Sequence, residues 1–269
     1  MRSDGHRISG SLDFEATRHR SPQTSGSSVT VSCVNWFEGR LAAYDIETTG
    51  TDTESDRIVT AAVSIVGGGE ESESRTWLVN PGIEVPADAT AVHGITTEKV
   101  QAEGQPAAVA VAEITEVLAT VVAEDIPIVA FNARFDLTIL DREARRHGVE
   151  PLIELVGGPE GLLVIDPYVL EKQINKFRKG SRTLSILCED YGIPLTEAHD
   201  ADADALAAAR LAWKLGRIND DLGAYDLPSL HEEQILWADE QGRSLQEYFD
   251  RQGRTEEVQT AWPLVPFAA

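Results

Sequence analysis

Apolar residues recur with two different periods along the 269-residue chain, and the change of period organises it. Residues 1–30 show neither period; they mix Ser, Thr, Gly, Arg and His with few large apolar groups. Such a composition cannot repay the entropy of ordering, so residues 1–32 are expected to be a disordered tail or an over-extended start. Short apolar runs follow at 41–46, at 57–66 with Ile58, Val59, Val63, Ile65 and Val66, and at 75–79 after the Gly67-Gly68-Gly69 turn. Three strands at hairpin spacing predict an antiparallel meander. The period then lengthens: Val109, Ile114, Val117, Leu118 and Val121 recur at three and four, which predicts an amphipathic helix over 107–123. Short strands at 126–131 and 162–166 enclose a helix at 133–147, and further helices are expected near 183–191, 201–215 and 228–249. A meander followed by alternating strands and helices predicts one mixed sheet with helices against it, an α/β fold.

Composition narrows the function classes. Lys plus Arg is 23 and Asp plus Glu is 45, a net charge of −22 at pH 7, which excludes a broadly basic nucleic-acid-binding surface. A polyanion can still be held through metal ions and one local basic stretch. The densest such stretch, 172–182, carries Lys172, Lys176, Arg178, Lys179 and Arg182, and reads either as a contact for substrate phosphates or as a solvated loop. Arg142, Arg145 and Arg146 read as a solvated helix face. Two distant cysteines, Cys33 and Cys188, give neither a disulfide framework nor a zinc ribbon and suit a reducing compartment. Residues 1–30 lack the apolar core of a secretory signal, and no stretch approaches the roughly 20 apolar residues of a membrane span. A cytoplasmic protein without membrane attachment is expected.

Candidate chemistry lies where acids interrupt apolar segments. Asp45 and Glu47 end the first strand in Tyr44-Asp45-Ile46-Glu47-Thr48-Thr49-Gly50. At i and i+2 they share a strand face roughly 6 to 7 Å apart. Side by side they repel unless cations neutralise them, although a solvated strand end before a Gly turn would look the same. Asp136 falls one turn into the 133–147 helix behind Asn132, a good N-cap, and is either a ligand or an acid favoured by the helix dipole. A third group, His199-Asp200-Ala201-Asp202-Ala203-Asp204, opens the 201–215 helix. Residues five apart on a helix lie about 140° apart, so His199 can share a site with Asp204 only from the lead-in loop. Asp200 is alternatively an N-cap. Asp166, ending a strand before Pro167, reads as N-cap or support of the next helix. Carboxylates of this number can hold two hard divalent cations, which activate a water and stabilise the leaving oxygen of a phosphodiester, with a histidine to take the proton.

These motifs, in this order, resemble those of the DEDDh (DnaQ-like) 3′-to-5′ exonucleases, the family that includes the epsilon proofreading subunit of bacterial DNA polymerase III. Asp45 to Gly50 match its Asp-x-Glu-Thr-Thr-Gly motif, Val92 to Thr96 its Val-His-Gly-Ile-Thr element, Asn132 to Asp136 its Asn-x-x-Phe-Asp, and His199, Ala201 and Asp204 its His-x-Ala-x-x-Asp. Asp200 stands where the Tyr-containing branch has its tyrosine, so the His branch is preferred. The resemblance covers about residues 36–216 and implies an RNase H-like fold with an exonuclease domain over 33–218. It implies metal ligation by Asp45, Glu47, Asp136 and Asp204, with His199 as general base and two Mg²⁺ or Mn²⁺ ions as cofactors. Thr48, His93, Asn132 and Phe135 would lie near the terminal nucleotide, the less favoured alternative for His93 being a loop residue satisfied by backbone.

The expected activity is removal of nucleoside 5′-monophosphates from single-stranded or frayed DNA 3′ ends. Alternatives are the same chemistry on RNA tails or oligoribonucleotides, or a binding module that keeps the fold without turnover. No polymerase or helicase motif is fused, so a proofreading role would need a polymerase or other protein partner. Oligomeric state is left open. Residues 219–269 are expected to form a C-terminal helix and apolar tail, packed on the domain or offered to a partner.

Overall fold

The computed structural model describes residues 35–195 and 200–268; the expected tail over 1–32, Cys33 and His199 lie outside the described residues. The meander consists of β1 (Arg40–Thr48), β2 (Ile58–Gly67) and β3 (Glu73–Asn80), paired antiparallel in sequence order. Two short helices follow, α1 (Ala87–His93) and α2 (Thr97–Glu103), then β4 (Gln105–Pro106) beside β3. Helix α3 (Ala107–Ala123) leads to β5 (Ile128–Val129), which runs parallel to β1. Helices α4 (Ala133–His147) and α5 (Leu152–Leu155) then lead to β6 (Val164–Ile165), parallel to β5. The chain finishes in helices: α6 (Pro167–Ile174), α7 (Leu184–Tyr191), α8 (Ala201–Ile218), α9 (Asp220–Gly223) and α10 (Leu227–Arg251). Among the described residues the sheet order is β4-β3-β2-β1-β5-β6, a mixed sheet of the RNase H-like kind. None of the described helices is long and apolar enough to cross a membrane.

Strand β1 is central because both its faces are apolar: Leu41, Ala42, Ala43 and Tyr44 are all buried. On one face Ala201, Ala205 and Ala209, spaced four apart on α8, meet Ala43 and Ala62. Alanine against alanine lets the helix backbone approach the sheet closely, and this carries the first turn of α8 to the end of β1. The periodic helix over 107–123 matches α3, whose Ala110, Val111, Ile114 and Leu118 are fully buried. Helices α1 and α2 went unread because each is seven residues long, too short to show a period.

Helix α10 closes the sheet's exposed edge with side chains. His231 Nδ1 accepts from the Val164 N–H (3.1 Å), Gln234 Oε1 accepts from the Asp166 N–H (2.7 Å), and Gln234 Nε2 donates to the Val164 carbonyl (2.9 Å). The backbone groups of β6 are thereby satisfied without another strand. The segment after α10 folds back as well: the Val265 N–H donates to Thr138 Oγ1 (2.9 Å), and Phe267 lies under Arg145 at 4.6 Å.

Two side-chain readings are corrected. The N-cap of α4 is not made by the Asn132 side chain: Asn132 takes a left-handed conformation (φ 65°) instead of the extended one of a capping residue, and its side chain makes no cap hydrogen bond. Asp166 supplies the cap from another strand: its Oδ1 accepts from the Asn132 N–H (2.9 Å) and its Oδ2 from the Ala133 N–H (3.0 Å). The same carboxylate caps α6 through the Tyr168 N–H (2.9 Å) and accepts from Trp262 Nε1 (3.2 Å). Nor is Arg142 on a solvated face. It is 5% exposed, because α4 is covered by the loop before β2 and by the C-terminal segment, and it pairs with Asp141 (2.7 Å) and Glu54 (2.8 Å). Arg145 pairs with Asp141 and Glu154, and Arg146 with Glu143, whose side chain is fully buried. Residues three and four apart on α4 thus form a partly buried charge network.

Asp166→Ala is expected to cost about 3 kcal/mol, because it strands several buried N–H groups at once. Asp226→Ala, which removes an ordinary cap from α10 at the Ser229 N–H, should cost only about 1 kcal/mol. Urea unfolding of the two variants against the parent checks the ratio; equal losses would mean that Asp166 is no more than a local cap.

Candidate active site

Asp45 and Glu47 sit where β1 leaves the sheet, and the pairing with β2 slips there: Glu47 faces Thr60 but Thr48 faces Ile58. A bulge of this kind re-aims side chains at a strand end. The turn behind it is closed by hydroxyls, Thr48 Oγ1 donating to the Gly50 carbonyl (2.6 Å) and Thr49 Oγ1 to Asp56 Oδ1 (2.7 Å). A Cβ at Gly50 would lie 2.5 Å from the Asp56 carboxylate, so a larger residue here would displace that side chain.

Across from the bulge lies the first turn of α8. Carboxylate oxygens of Asp45, Glu47 and Asp204 come within 4.8 Å of one another. Asp200 takes the other role open to it, capping α8 by accepting from the Ala203 N–H (3.2 Å). Asp136, in the first turn of α4 and 4% exposed, backs the group; it accepts from the Ile46 backbone N–H and repels Asp45.

Such a group is electrostatically strained. Burial pushes the Asp45 carboxyl well above its ordinary value, and Asp136, Asp204, Glu47 and Asp200 push it further. Burial, then Asp204 and Asp200, raise Glu47 to about 7. Asp136 is likewise well raised by burial, partly offset by backbone N–H groups. The charges that act most strongly on Asp45 and Glu47 are all negative. A set of hard oxygen donors that repel one another fits a hard divalent cation such as Mg²⁺ or Mn²⁺.

The other residues singled out by sequence are spread around this centre. Thr48 is buried beside Glu47. Histidine 93 accepts the Ile95 N–H on Nδ1 (3.1 Å), leaving Nε2 to carry its proton when neutral. It lines a cavity of about 320 Å³ that also reaches Lys99, Thr60 and Asp200. Asn132 lines a different cavity, and Phe135 packs against the core. Sequence reasoning missed a support of the α8 end: Asp202 Oδ1 accepts from Ser64 Oγ (2.6 Å) and Ser74 Oγ (2.7 Å). The signal was present, since Ser64 is a buried hydroxyl among the apolar residues of β2.

A family model described as "Exonuclease" (RNase T) matches residues 42–212, the stretch that contains every one of these acids. The chain belongs to this exonuclease family. It is 36% identical over 180 residues to a DNA polymerase III subunit epsilon-like protein of Rhodobacter capsulatus, covering 65% of this chain and 23% of that protein. It is 30% identical over 181 residues to a PolC-type DNA polymerase III of Oceanobacillus iheyensis, covering 67% of this chain and 12% of that protein. The chain therefore spans less than a quarter of the length of these relatives. In fold it is similar to E. coli exonuclease I in complex with a dT13 oligonucleotide (TM-score 0.56, 21% identity, 68% of this chain and 43% of that one). It is equally similar to exonuclease I of Methylocaldum szegediense (TM-score 0.55, 22% identity, 79% of this chain and 45% of that one).

Raised carboxyl values carry a sign. The folded protein holds a proton on Glu47 that the unfolded chain has released, so its ionisation costs stability from about pH 4.5 upward, fully so above about pH 7. In EDTA, the gain in melting temperature of Glu47→Gln over the parent should grow between pH 5 and pH 8, and excess Mg²⁺ at pH 8 should cancel it. A gain that is flat with pH would show that Glu47 is not strained by its neighbours.

Proposed function

We propose that the chain is a metal-dependent 3′-to-5′ exonuclease that hydrolyses the terminal phosphodiester of single-stranded or frayed DNA 3′ ends and releases nucleoside 5′-monophosphates. The observation that carries this reading is the convergence of Asp45, Glu47 and Asp204 within 4.8 Å, in a chain of the exonuclease family. In this reading the exonuclease domain spans 33–218, and residues 219–269 buttress it.

Asp45, Glu47, Asp136 and Asp204 hold two divalent cations. Bound there, such ions would polarise the phosphodiester and lower the cost of the negative charge that develops on its oxygens. The four carboxylates also repel the scissile phosphate whenever the cations are missing, so the site is inert without them. His199 takes the proton from the attacking water, a role for which an imidazole near neutrality is suited. Thr48, His93, Asn132 and Phe135 position the terminal nucleotide. A small cavity beside His93, rather than a wide basic cleft, favours one unpaired nucleotide over a duplex. The names of the relatives, an epsilon-like subunit and PolC-type polymerases, support work beside a polymerase.

Digestion of matched 5′-labelled single-stranded DNA and RNA with Mg²⁺ or Mn²⁺ tests the reading. A ladder shortening from the 3′ end, abolished by EDTA and by Asp45→Ala, is expected, and faster on DNA. His199→Ala should slow it by about 10²- to 10⁴-fold while metal binding persists. Undiminished cleavage by Asp45→Ala would overturn the site assignment, and a faster RNA ladder would move the substrate to RNA.

A further inference from the structure

Beside the candidate active site, two cavities adjoin between α6 and α10. One, of about 90 Å³, is bounded by Asn132, Arg134, Tyr168 and Lys172; the other, of about 260 Å³, by Lys172, Lys176 and Arg182. Lys172 and Gln241 line both, so the two are halves of one groove. It starts at Asn132, the residue that opens α4 four positions before Asp136, and it leads away from the acids.

Its charge is opposite to that of the rest of the molecule. Within a chain of net charge −22 the groove collects Arg134, Lys172, Lys176 and Arg182. Burial lowers the Lys172 ammonium from its usual value, and Arg182 and Arg134 lower it further, a mark of cations crowded together. Arg182 has partners, Glu171 Oε2 (2.7 Å) and the Asn175 carbonyl (2.7 Å), and Arg134 donates to the Gln259 carbonyl. Among the described residues Lys172 has no ion pair; its ammonium rests 4.9 Å from the centre of the Tyr168 ring. Of the acids facing the groove, Asp166 already accepts four hydrogen bonds, and Glu240 lies on the α10 wall. Next to Lys176 in the chain, Phe177 is 95% exposed. Cations lining a groove, followed in the chain by an exposed aromatic ring, suit a polymer with an anionic backbone and flat bases.

We propose that this groove is a second nucleic-acid subsite, which holds the phosphodiester backbone of a single strand upstream of its 3′ terminus while Phe177 stacks on a base. The proposal rests on the exonuclease reading for its direction, since the strand enters the acidic centre past Asn132. It also accounts for how a strongly acidic protein retains a polyanion: the terminal phosphate goes to metal ions, and the following ones to Lys172 and its neighbours. The groove's cations all lie within the residues matched by the family model, whereas its α10 wall lies beyond them.

The test uses the full-length protein and two probes. Binding of a fluorescent single-stranded oligonucleotide of about 12 nucleotides, a length that spans one strand-binding site, is followed by anisotropy in EDTA at several salt concentrations. Cleavage of the same oligonucleotide is compared with that of the p-nitrophenyl ester of thymidine 5′-monophosphate, which fills only the terminal site. Phe177→Ala, at a position too exposed to affect folding, should weaken oligonucleotide binding roughly tenfold. Lys172→Gln should weaken it and reduce the slope of log K against log salt by about 0.7. Both should raise KM for the oligonucleotide and leave hydrolysis of the ester unchanged. Unchanged oligonucleotide affinity in both variants would overturn the subsite, as would equal losses on the two substrates, or an acidic peptide of matched charge competing as well as the oligonucleotide. If the parent binds the strand in this salt-dependent way but cleaves neither probe with Mg²⁺ or Mn²⁺, the subsite stands and the exonuclease reading falls.

Discussion

Holding Asp45, Glu47, Asp136 and Asp204 together against their own repulsion is the constraint around which the fold is arranged. Left to themselves, a strand end and two helix starts would splay until solvent separated the charges. Each is instead fixed by interactions remote from the acids. Close alanine contacts press α8 onto the sheet, Ser64 and Ser74 hold Asp202, and Asp166 secures the start of α4. The apolar core of β1 supplies the stability that the charged end consumes, a division common at sites where function and stability oppose each other.

Much of this was legible in the amino-acid order. Strands β1 and β2 showed themselves as apolar runs bounded by turn residues, β3 by its Trp77-Leu78-Val79 end after the glycine turn, and α3 because its apolar positions repeat at helical spacing. Asp45 and Glu47 were legible as a pair because alternation along a strand puts them on one face, whatever the rest of the chain does. Choosing Asp204 over Asp200 needed the motif register, since the two lie on one helix face and only the packed helix separates ligand from cap. The cap of α4 was not legible at all. Asn132 is the residue that local rules nominate, and the actual acceptor is Asp166, 34 positions along the chain. The buried state of Arg142 was equally hidden, because a run of arginines and acids on one helix is normally solvated; here the covering comes from the loop before β2, 88 positions earlier, and from residues 120 or more positions later. Local periodicity reports elements, whereas such contacts are decided by which element arrives to cover another.

Charge is partitioned in the same spirit. The protein is acidic overall, yet two groups of cations stand out: several arginines are consumed by the network on α4, and Lys172, Lys176 and Arg182 gather between α6 and α10. A uniformly acidic surface repels nucleic acid at long range, so association is slow at low salt unless local fields of the opposite sign guide approach. On the proposed reading, one orientation of an incoming strand is thereby favoured over the others before any specific contact forms.

The hydrogen bond from Trp262 to Asp166 joins groups 96 positions apart. Because synthesis runs from the N-terminus, the strand bearing Asp166 and the helix it caps are made well before the indole that completes the carboxylate's shell. Until then Asp166 relies on Asn132, Ala133 and Tyr168 alone, with one flank open to water. The Asp166 carboxylate that caps α4 therefore gains its last hydrogen bond only once the segment bearing Trp262 has been made and folded back. A nascent chain that stalls before this point holds the start of α4 with one hydrogen bond to Asp166 fewer.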